Sequence, residues 1–303
     1  MKGIILAGGS GSRLYPLTNV ITKQLLPIYD KPMIYYPLAQ LMMCGIKEIM
    51  IISTPADVPH FKRLLGDGSS LGLSINFKIQ ERPEGIAQAY LLAADFIAND
   101  HSMMILGDNL FYGDFACFRR AVEKQENKLD PFDARIFAYP VRDPERFGVV
   151  EFDPNSKKVL SLEEKPSKPK SQFAVPGVYI YDGSVCDRVK NQQPSDRGEL
   201  EITDLNLNYL QDGKLSCEII GRGMAWLDTG TPESLNEANN LVSIIEQRQG
   251  HKVACVEEIA LRQGFININE FEKILSSIPK GPYHNYLTLV KKEFDELSIR
   301  RAA

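Results

Sequence analysis

A glycine-rich loop near the N-terminus carries the residues best suited to chemistry. The apolar run Gly3–Ala7 ends in Gly8-Gly9-Ser10-Gly11-Ser12, after which come Arg13 and, further on, Lys23. Glycine has no Cβ and tolerates positive φ, so the bare backbone N–H groups of such a loop can approach a phosphate closely. Arg13 and Lys23 add charged donors. The pattern predicts a phosphate site behind a buried strand; the alternative is an ordinary glycine-serine turn.

Two familiar phosphate loops are excluded by the residues around these glycines. A dinucleotide fingerprint needs glycine at its sixth position, where counting from Gly9 gives Leu14. No Gly-Lys-Ser/Thr follows the loop, so the nucleoside-triphosphatase P-loop is missing as well. The loop therefore indicates another nucleotide chemistry, and a nicotinamide oxidoreductase is disfavoured.

Two aspartates follow apolar segments that are far apart in the chain. Asp108 comes directly after Gly107, and Asp228 comes after Trp226-Leu227 and before Thr229-Gly230. Two carboxylates at strand ends could hold one Mg²⁺, which prefers hard oxygen ligands and keeps waters and phosphate oxygens. For either aspartate by itself, a turn residue or helix cap is an equal alternative. The phosphate loop favours the metal site.

Two further groups of residues could contact other parts of a ligand. Lys165 could bind a second phosphate and Glu164 could accept hydrogen bonds from sugar hydroxyls, although a Glu-Glu-Lys-Pro stretch is commonly a solvated strand end. Gln80 offers an amide with donor and acceptor faces, and Gly85 precedes a predicted helix whose first N–H groups are exposed. The alternative for this second group is a strand, a loop and a helix with no ligand.

Strands and helices alternate through the first part of the chain. Examples are a predicted helix at Pro32–Cys44, a strand at Glu48–Ser53, a helix at Ile86–Ile97 and a strand at Met103–Leu106. This order predicts an α/β fold with a doubly wound, mostly parallel sheet. Ligands of such sheets bind at the carboxyl ends of the strands, where the Gly8 loop and Asp108 would both lie.

The remainder of the chain changes character twice. Strands at Gly148–Phe152, Val159–Leu162 and Val175–Tyr181 follow one another closely and predict a β-rich insertion. From residue 251 the spacing is helical, with Asn269 and Glu272 fitting a variant capping box. We therefore predict a core over residues 1–250, with halves at about 1–140 and 141–250, and a C-terminal helical extension over 251–303 that contacts another subunit.

Composition excludes several classes of protein. The 303 residues include 44% hydrophobic and 24% charged residues, with a net charge of −4 and no basic block, so nucleic acid is not an expected partner. The five cysteines are scattered without a Cys-x-x-Cys, which argues against zinc. The N-terminus enters a strand directly and no apolar run approaches a membrane span. We expect a cytoplasmic, reduced protein without membrane contact.

Five motifs in the right order resemble the glucose-1-phosphate thymidylyltransferase family. They are the first 30 residues, Gly107-Asp108-Asn109, Glu163-Glu164-Lys165-Pro166, Gly198–Asp204 and Trp226–Gly230. The similarity extends nearly end to end and includes Asp143–Val150 and the helical tail. It implies a Rossmann-like nucleotidyltransferase sheet with a β-rich sugar-binding insertion and a C-terminal helical cap.

The resemblance also implies residue roles. Arg13, Lys23 and Lys165 would be catalytic. The nucleotide site would consist of Leu6, Gly8, Gly9, Gly11, Ser12, Arg13, Lys23, Gln24, Gln80, Pro83, Gly85 and Asp108. The sugar site would consist of Asn109, Gly148, Glu164, Lys165, Val175, Thr203 and Trp226. Asp108 and Asp228 would hold Mg²⁺.

The implied reaction transfers a thymidylyl group from dTTP to α-D-glucose 1-phosphate, giving dTDP-glucose and pyrophosphate for dTDP-rhamnose or related dTDP-sugar synthesis. The alternatives are the same chemistry with UTP or another hexose 1-phosphate, or a catalytically silent nucleotide-sugar sensor. The resemblance further implies a homotetramer, with feedback inhibition by dTDP-rhamnose at a subunit interface.

Overall fold

The computed structural model describes residues 1–9, 11–153 and 158–302, with side chains up to residue 296. Ser10 of the glycine-rich loop lies outside the described residues. The strands are β1 (Lys2–Leu6), β2 (Pro27–Ile28), β3 (Lys31–Pro32), β4 (Glu48–Ser53), β5 (Ser74–Ile79), β6 (Ser102–Leu106), β7 (Asn109–Tyr112), β8 (Ala134–Pro140), β9 (Gly148–Phe152), β10 (Val159–Glu164), β11 (Phe173–Ala174), β12 (Val178–Tyr181), β13 (Leu215–Ile219) and β14 (Ala225–Asp228). The helices are α1 (Tyr35–Met43), α2 (Val58–Leu65), α3 (Gln88–Leu92), α4 (Ala94–Ile97), α5 (Ala116–Glu126), α6 (Val185–Lys190), α7 (Ile202–Gln211), α8 (Pro232–Gln249), α9 (Val256–Arg262), α10 (Ile268–Ser277) and α11 (Pro282–Ala302).

A large twisted sheet organises the chain. β5, β4, β1 and β6 are neighbours in that order and pair in parallel. β12 comes next and is antiparallel to both β6 and β8, while β13 pairs in parallel with β8. β8 therefore runs in the same direction as β6. The predicted doubly wound, mostly parallel sheet is confirmed.

The β-rich insertion extends one end of this sheet. β11 pairs antiparallel with the end of β8 and with β9, and β9 pairs antiparallel with β10. The hairpin of β9 and β10 brings Gly148 opposite Glu164 in register. The first residue of one strand and the last of the other thus meet at one point, beside the carboxyl ends of the central strands.

Helices cover both faces of the sheet because the central strands are apolar on both sides. In β1, Ile4 packs into a core with Tyr90 of α3 and Tyr209 of α7, whereas Ile5 packs into a second core with Leu38 of α1 and Phe118 of α5. Continuous apolar strands of this kind are typical of parallel sheets buried on both faces.

The C-terminal helices join the second of these cores. Leu261 of α9, Phe271 of α10 and Leu287 of α11 are buried there together with residues of α1. The helical character predicted for this tail is confirmed, whereas its boundary at residue 250 and its role as a subunit contact stay predictions. Among the described helices, none combines the length and apolar character needed to cross a bilayer.

Several predicted elements differ in detail from the structure. Pro32 belongs to β3, and the helix expected from that residue begins at Tyr35. The predicted helix Ile86–Ile97 is divided into α3 and α4 at Ala93. The strand predicted at Val175–Tyr181 is shorter, because β12 begins at Val178 and residues 175–177 connect it to β11. The short elements β2, β3, β7, β11 and α6 were not predicted.

The helix caps show how well short sequence patterns predict where helices begin and end. Thr231 caps α8 in a capping box with Ser234, with Pro232 following it as predicted, and Gly250 ends the helix in the left-handed region. The predicted box of Asn269 and Glu272 is wrong. The N-cap of α10 is Asn267, which forms the box with Glu270.

Candidate active site

The glycine-rich loop leaves the carboxyl end of β1 and is anchored on both sides. Ala7 N–H donates to the Ile52 carbonyl at 2.8 Å, which continues the sheet past Leu6. Gly11 has φ of +57°, and its carbonyl accepts from the Thr18 hydroxyl at 2.9 Å. A short 3₁₀ turn over Ser12–Leu14 then buries Leu14. The described residues on both sides of Ser10 are thus anchored at the carboxyl end of β1, and Arg13 is exposed.

Asp108 and Asp228 are brought together by a two-stranded ladder that branches from the central sheet. Asp108 lies between β6 and β7, and β7 pairs antiparallel with β14 so that Asp228 stands opposite Asn109. The Thr229 N–H and hydroxyl both donate to the Asp108 carbonyl, at 3.1 and 2.8 Å. These bonds fix the two aspartate segments against each other.

Asp108 has two fixed side-chain partners. Lys23 Nζ donates to its Oδ2 at 2.5 Å, and Asn109 Nδ2 donates to its Oδ1 at 2.9 Å. Burial raises the pKa of Asp108, but the charge and hydrogen bond of Lys23 outweigh burial and hold that pKa below its usual value. Lys23, predicted to contact phosphates, is therefore paired with a predicted metal ligand in this structure.

Asp228 is in a different electrostatic state. Burial and the neighbouring charge of Asp108 raise its pKa above the usual value, against the opposing effects of Lys23, Arg13 and Arg146. A Cβ placed on Gly230 would lie 2.9 Å from Asp228 Oδ1 and 3.1 Å from a terminal nitrogen of Arg13, so both side chains face the same point.

Gln80 occupies the opposite side of the loop and has a fixed orientation. Its Nε2 donates to Gln88 Oε1 at 2.6 Å, and Gln88 is itself held by Glu84. The remaining Gln80 oxygen points at Gly8, where any Cβ would overlap it. Gln80 therefore presents a hydrogen-bond acceptor beside the glycine-rich loop.

Gly85 connects this region to the segment before α7. Leu200 N–H donates to the Glu84 carbonyl at 2.7 Å, and Ala87 N–H donates to the Leu200 carbonyl at 3.1 Å. Gly85 has φ of +101°, and a Cβ there would lie 2.5 Å from the Leu200 nitrogen. Glycine is required at this position both by its conformation and by the close approach of the backbone.

Among the predicted sugar residues, Gly148, Glu164 and Lys165 lie at the facing ends of β9 and β10. Glu164 Oε2 accepts from the Thr203 hydroxyl at 2.7 Å, and its Oε1 pairs with Lys165 Nζ at 3.1 Å. Lys165 has φ of +43°, and about half of its side chain is exposed. Val175 N–H donates to the Gly148 carbonyl at 2.8 Å. Thr203 and Lys165 thus orient the two Glu164 oxygens.

Asn109 links the aspartates to the sugar side. Its Oδ1 accepts from Trp226 Nε1 at 2.7 Å and from Gly177 N–H at 3.1 Å, while its Nδ2 binds Asp108. The indole N–H of Trp226 is therefore already used. Contact between Trp226 and a ligand would have to be made by the ring.

One cavity of about 570 Å³ brings these groups together. Among the residues predicted for the site, those that do not line it are Gly11, Ser12 and Lys23, which stabilise the loop or lie behind Asp108. The lining also contains cations that were not predicted as site residues, Arg146 and Arg197. Arg146 is held by Asp143 and Arg197 by Glu201. Arg146 lies within the motif Asp143–Val150, and Arg197 directly precedes the motif Gly198–Asp204. These positions were the features of the sequence that could have identified them as site residues.

The sequence matches known proteins along nearly its whole length. Residues 2–243 match the family described as nucleotidyl transferase. A glucose-1-phosphate thymidylyltransferase of Neisseria meningitidis is 51% identical over 293 residues, covering 97% of this chain and 100% of the relative. The chain belongs to the glucose-1-phosphate thymidylyltransferase family. A member from Mycolicibacterium smegmatis is 51% identical over 287 residues, covering 95% of this chain and 98% of its own.

Solved structures agree with this membership of the glucose-1-phosphate thymidylyltransferase family. A Bacillus anthracis protein of that name, crystallised with sucrose, superposes with a TM-score of 0.73 at 45% identity, covering 80% of this chain and 94% of that one. A UDP-glucose pyrophosphorylase with bound UDP-glucose gives a TM-score of 0.71 at 21% identity, covering 80% and 98%, which shows a shared fold. The chain is thus a nucleotidyltransferase enzyme.

Glucose-1-phosphate thymidylyltransferases, like other nucleotidyl transferases, generally use a divalent metal, and the residues present fit one. Asp108 and Asp228 are hard oxygen donors. Burial, and then the charge of Asp108, raise the pKa of Asp228, so a cation placed between the two would favour its ionised form. A divalent cation that takes two carboxylates and keeps open positions for phosphate oxygens suits this pair.

Proposed function

We propose that this protein transfers a thymidylyl group from dTTP to α-D-glucose 1-phosphate, giving dTDP-glucose and pyrophosphate. The observation that carries the proposal is the single cavity in which the glycine-rich loop, the aspartate pair and Glu164 with Lys165 face one another. The choice of dTTP and glucose 1-phosphate as substrates rests on the names of relatives that are about 51% identical in sequence.

The chemistry is in-line displacement at phosphorus. An oxygen of the sugar phosphate attacks the α-phosphorus of the nucleotide, the new P–O bond forms, and the bond to pyrophosphate breaks. That oxygen is already anionic near neutral pH, so no general base is needed. The chain's task is therefore positioning and neutralising charge.

Arg13, Lys23 and Lys165 are proposed to supply positive charge. Arg13 is exposed in the loop that faces Asp228, where a triphosphate would lie. Lys23 is buried beside Asp108, on the side away from the cavity, and its positive charge would stabilise the negative charge of the phosphates. Lys165 lies at the sugar end with its ammonium half exposed and would hold the sugar phosphate.

Asp108 and Asp228 are proposed to hold Mg²⁺. When bound, this ion would neutralise phosphate charge and orient the phosphate oxygens. The two carboxylates come from segments fixed to each other through Thr229, so the pair is preorganised for a cation.

The base is proposed to be read by Gln80 and Gly85, with Leu6, Gly8, Gly9, Gln24 and Pro83 around the nucleotide. The Gln80 acceptor suits a pyrimidine that carries an N–H between two carbonyls, as thymine and uracil do. Cytosine has an unprotonated nitrogen there and would leave two acceptors facing each other. This orientation supports the thymine-or-uracil class and leaves UTP as the nearest alternative.

The sugar is proposed to bind between Glu164, Thr203, Gly148, Val175 and the Trp226 ring. Glu164 is held by Thr203 and Lys165, so its carboxylate is ready to accept hydrogen bonds from hydroxyls. Asn109 keeps one amide hydrogen beyond those donated in the described part of the structure. Another hexose 1-phosphate is the alternative at this end.

The proposal extends to assembly and location. We propose a cytoplasmic homotetramer that works in dTDP-rhamnose or related dTDP-sugar synthesis, inhibited by dTDP-rhamnose at a subunit interface. The tail helices α9–α11 are the proposed contact. Sedimentation of the purified protein, with and without dTDP-rhamnose, tests the assembly.

Pyrophosphate release tests the reaction. The protein is incubated with each of dTTP, UTP, dCTP and dATP against glucose, galactose and mannose 1-phosphates, with Mg²⁺. We expect the highest kcat/KM for dTTP with glucose 1-phosphate, and at least tenfold less for dCTP. A preference for UTP would replace the thymidylyl assignment, and no release from any pair, with nucleotide still bound, would establish the sensor alternative.

A further inference from the structure

A small hairpin lies between the aspartate pair and helix α8. It consists of β2 and β3 with the residues that flank them. At its root, Lys23 Nζ contacts Asp108 Oδ2 at 2.5 Å, and Met33 Sδ lies 3.2 Å from the Thr229 hydroxyl oxygen. Thr229 in turn binds the Asp108 carbonyl. The root of the hairpin therefore touches both segments that carry the aspartates.

The hairpin is a rigid unit. Met33 N–H donates to the Leu26 carbonyl and Ile34 N–H to the Gln24 carbonyl, both at 2.9 Å, and Ile28 pairs with Lys31 nearer the tip. Leu26, Ile28 and Met33 are buried in one core with helix α8. A displacement of the tip must therefore reach the root, since the intervening ladder is paired.

The tip is held by charged residues from two other segments. Lys31 Nζ binds Glu246 Oε1 at 2.8 Å, and Lys252 Nζ binds Glu246 Oε2 at 3.1 Å. Asp30 contacts both lysines. Tyr29, at φ of +59°, donates its N–H to Asn239 Oδ1 at 2.5 Å. We call Asp30, Lys31, Glu246 and Lys252 the tip cluster.

Burial makes the tip cluster sensitive to the loss of any member. The side chain of Lys31 is 2% exposed and that of Glu246 is 6% exposed. The two lysines and two carboxylates compensate one another, and Val253 N–H adds a hydrogen bond to Glu246 at 2.9 Å. Removing one partner would leave an unpaired buried charge, which is strongly unfavourable unless the segment moves to water.

We propose that the tip cluster positions Lys23 on Asp108, with Lys252 and Glu246 as positioning residues for the reaction. Lys252 belongs to the start of the C-terminal extension and lies over the rings of Tyr283 and Tyr286, at 5.6 and 5.8 Å. The extension thereby acts on the charge beside the proposed metal site. This inference rests on the proposed roles of Lys23 and Asp108.

A double-mutant cycle between Lys252 and Lys23 tests the inference. If Lys252 acts through Lys23, Lys252→Met lowers kcat about tenfold in the wild-type background and less than about twofold in the Lys23→Met background. The KM for glucose 1-phosphate stays within about twofold of wild type, because Glu164 and Lys165 are untouched. Lys252→Arg restores kcat. Independent effects that multiply in the double variant would overturn the proposal.

A binding measurement provides a readout independent of turnover. Trp226 is the single tryptophan of the sequence and lies two residues before Asp228, so its fluorescence can report Mn²⁺ added alone. Withdrawing Lys23 removes a cation that competes at Asp108. Lys252→Met and Lys23→Met should therefore both tighten Mn²⁺ binding, by about threefold or more. Weaker or unchanged binding in Lys252→Met would contradict the inference, since mere destabilisation cannot tighten a site.

Controls separate this inference from the proposed function. Glu237→Gln changes an exposed charge on the same helix α8 and should leave both readouts unchanged. If Lys252→Met does not fold, Asn239→Ala is the second variant. It removes the acceptor of the Tyr29 N–H at the tip, together with a bond from Asn239 Nδ2 to the Leu235 carbonyl within α8, and should shift both readouts in the same direction. If the wild type forms no pyrophosphate, the proposed function fails, and the Mn²⁺ titration still tests whether Lys252 positions Lys23. A wild type that does not bind Mn²⁺ overturns the inference together with the metal site.

Discussion

Asp228 stands opposite Asn109 in the β7–β14 ladder, which places it beside Asp108 although the two aspartates are far apart in the chain. Their environments push their pKa values in opposite directions. Lys23 lowers the pKa of Asp108 below its usual value, whereas burial and the charge of Asp108 raise that of Asp228. The pair therefore combines one firmly ionised carboxylate with one that lacks sufficient positive charge nearby.

Neutralising Asp228 should impair the proposed metal site. We expect Asp228→Asn to reduce turnover by roughly 10²- to 10³-fold at low Mg²⁺, on the scale of losing one preorganised electrostatic group. Excess Mg²⁺ should recover part of the loss. Pyrophosphate release as a function of Mg²⁺ concentration checks this, with Asp187→Asn on α6 as the surface control. If neither Asp108→Asn nor Asp228→Asn raises the Mg²⁺ requirement, the two-carboxylate site is wrong.

Removing Arg13 should affect turnover but not folding. The side chain is exposed and faces Asp228 across Gly230, so its loss leaves no buried gap. Arg13→Ala should lower kcat by about 10²- to 10³-fold, with an unchanged circular dichroism spectrum and thermal midpoint. Arg142→Ala, an exposed arginine away from the cavity, is the matched control. Near-normal turnover in Arg13→Ala would rule out the assigned role.

A methyl group at Gly8 should disturb recognition of the base. It would overlap the Gln80 oxygen, whose amide is fixed by Gln88, so the acceptor must move. We expect the KM for dTTP to rise roughly tenfold, the equivalent of about one hydrogen bond, with little change in the KM for glucose 1-phosphate. Gly221→Ala has open space around its Cβ and serves as the control. An equal rise in both KM values would show a general disruption instead.

Alkaline pH should destabilise the protein through its buried thiols. Burial, and secondarily Glu218, raises the pKa of Cys217 to about 12 from 9.0 in the free thiol. Above pH 9 the unfolded chain therefore loses this proton while the folded chain keeps it, and the free energy of unfolding falls. The slope is roughly 1.4 kcal/mol per pH unit for each such thiol.

Urea unfolding under reducing conditions measures this effect. Cys217→Ala should show a shallower loss of stability between pH 9.5 and 11 than the wild type, whatever its offset at neutral pH. The interval from pH 6 to 8, where this thiol does not titrate, is the internal reference. Parallel curves throughout would show that Cys217 is ionised equally in both states.

The sequence predicted features that depend on neighbouring residues. The cap of α8 by Thr231 and the position of Gly250 follow from a few adjacent side chains, and both are confirmed. The cap of α10 was misplaced because Asn267 and Asn269 each have glutamate three residues later, so the local pattern is ambiguous. The structure uses the first of them.

Long-range contacts at the site could not be predicted in the same way. The glycine-rich loop and both aspartates were recognisable as strand-end residues. Their meeting depends on β7, a four-residue strand that has too little pattern to be identified from the sequence. The pairing of Lys23 with Asp108 likewise joins residues far apart in the chain, and the hairpin that follows Lys23 has strands of two residues each.

The backbone bonds of Leu200 to the Glu84 carbonyl and the Ala87 N–H join the segment proposed to read the base to the segment proposed to face the sugar. Gly85, at the centre of this contact, has no room for a side chain. In a chimera, residues 80–90 could be exchanged for those of a relative with a different base preference. The backbone contacts of Leu200 would then be lost unless residues 195–203 were exchanged as well. Under the proposed roles, a new nucleotide preference introduced through residues 80–90 requires a matching change in the segment proposed to face the sugar.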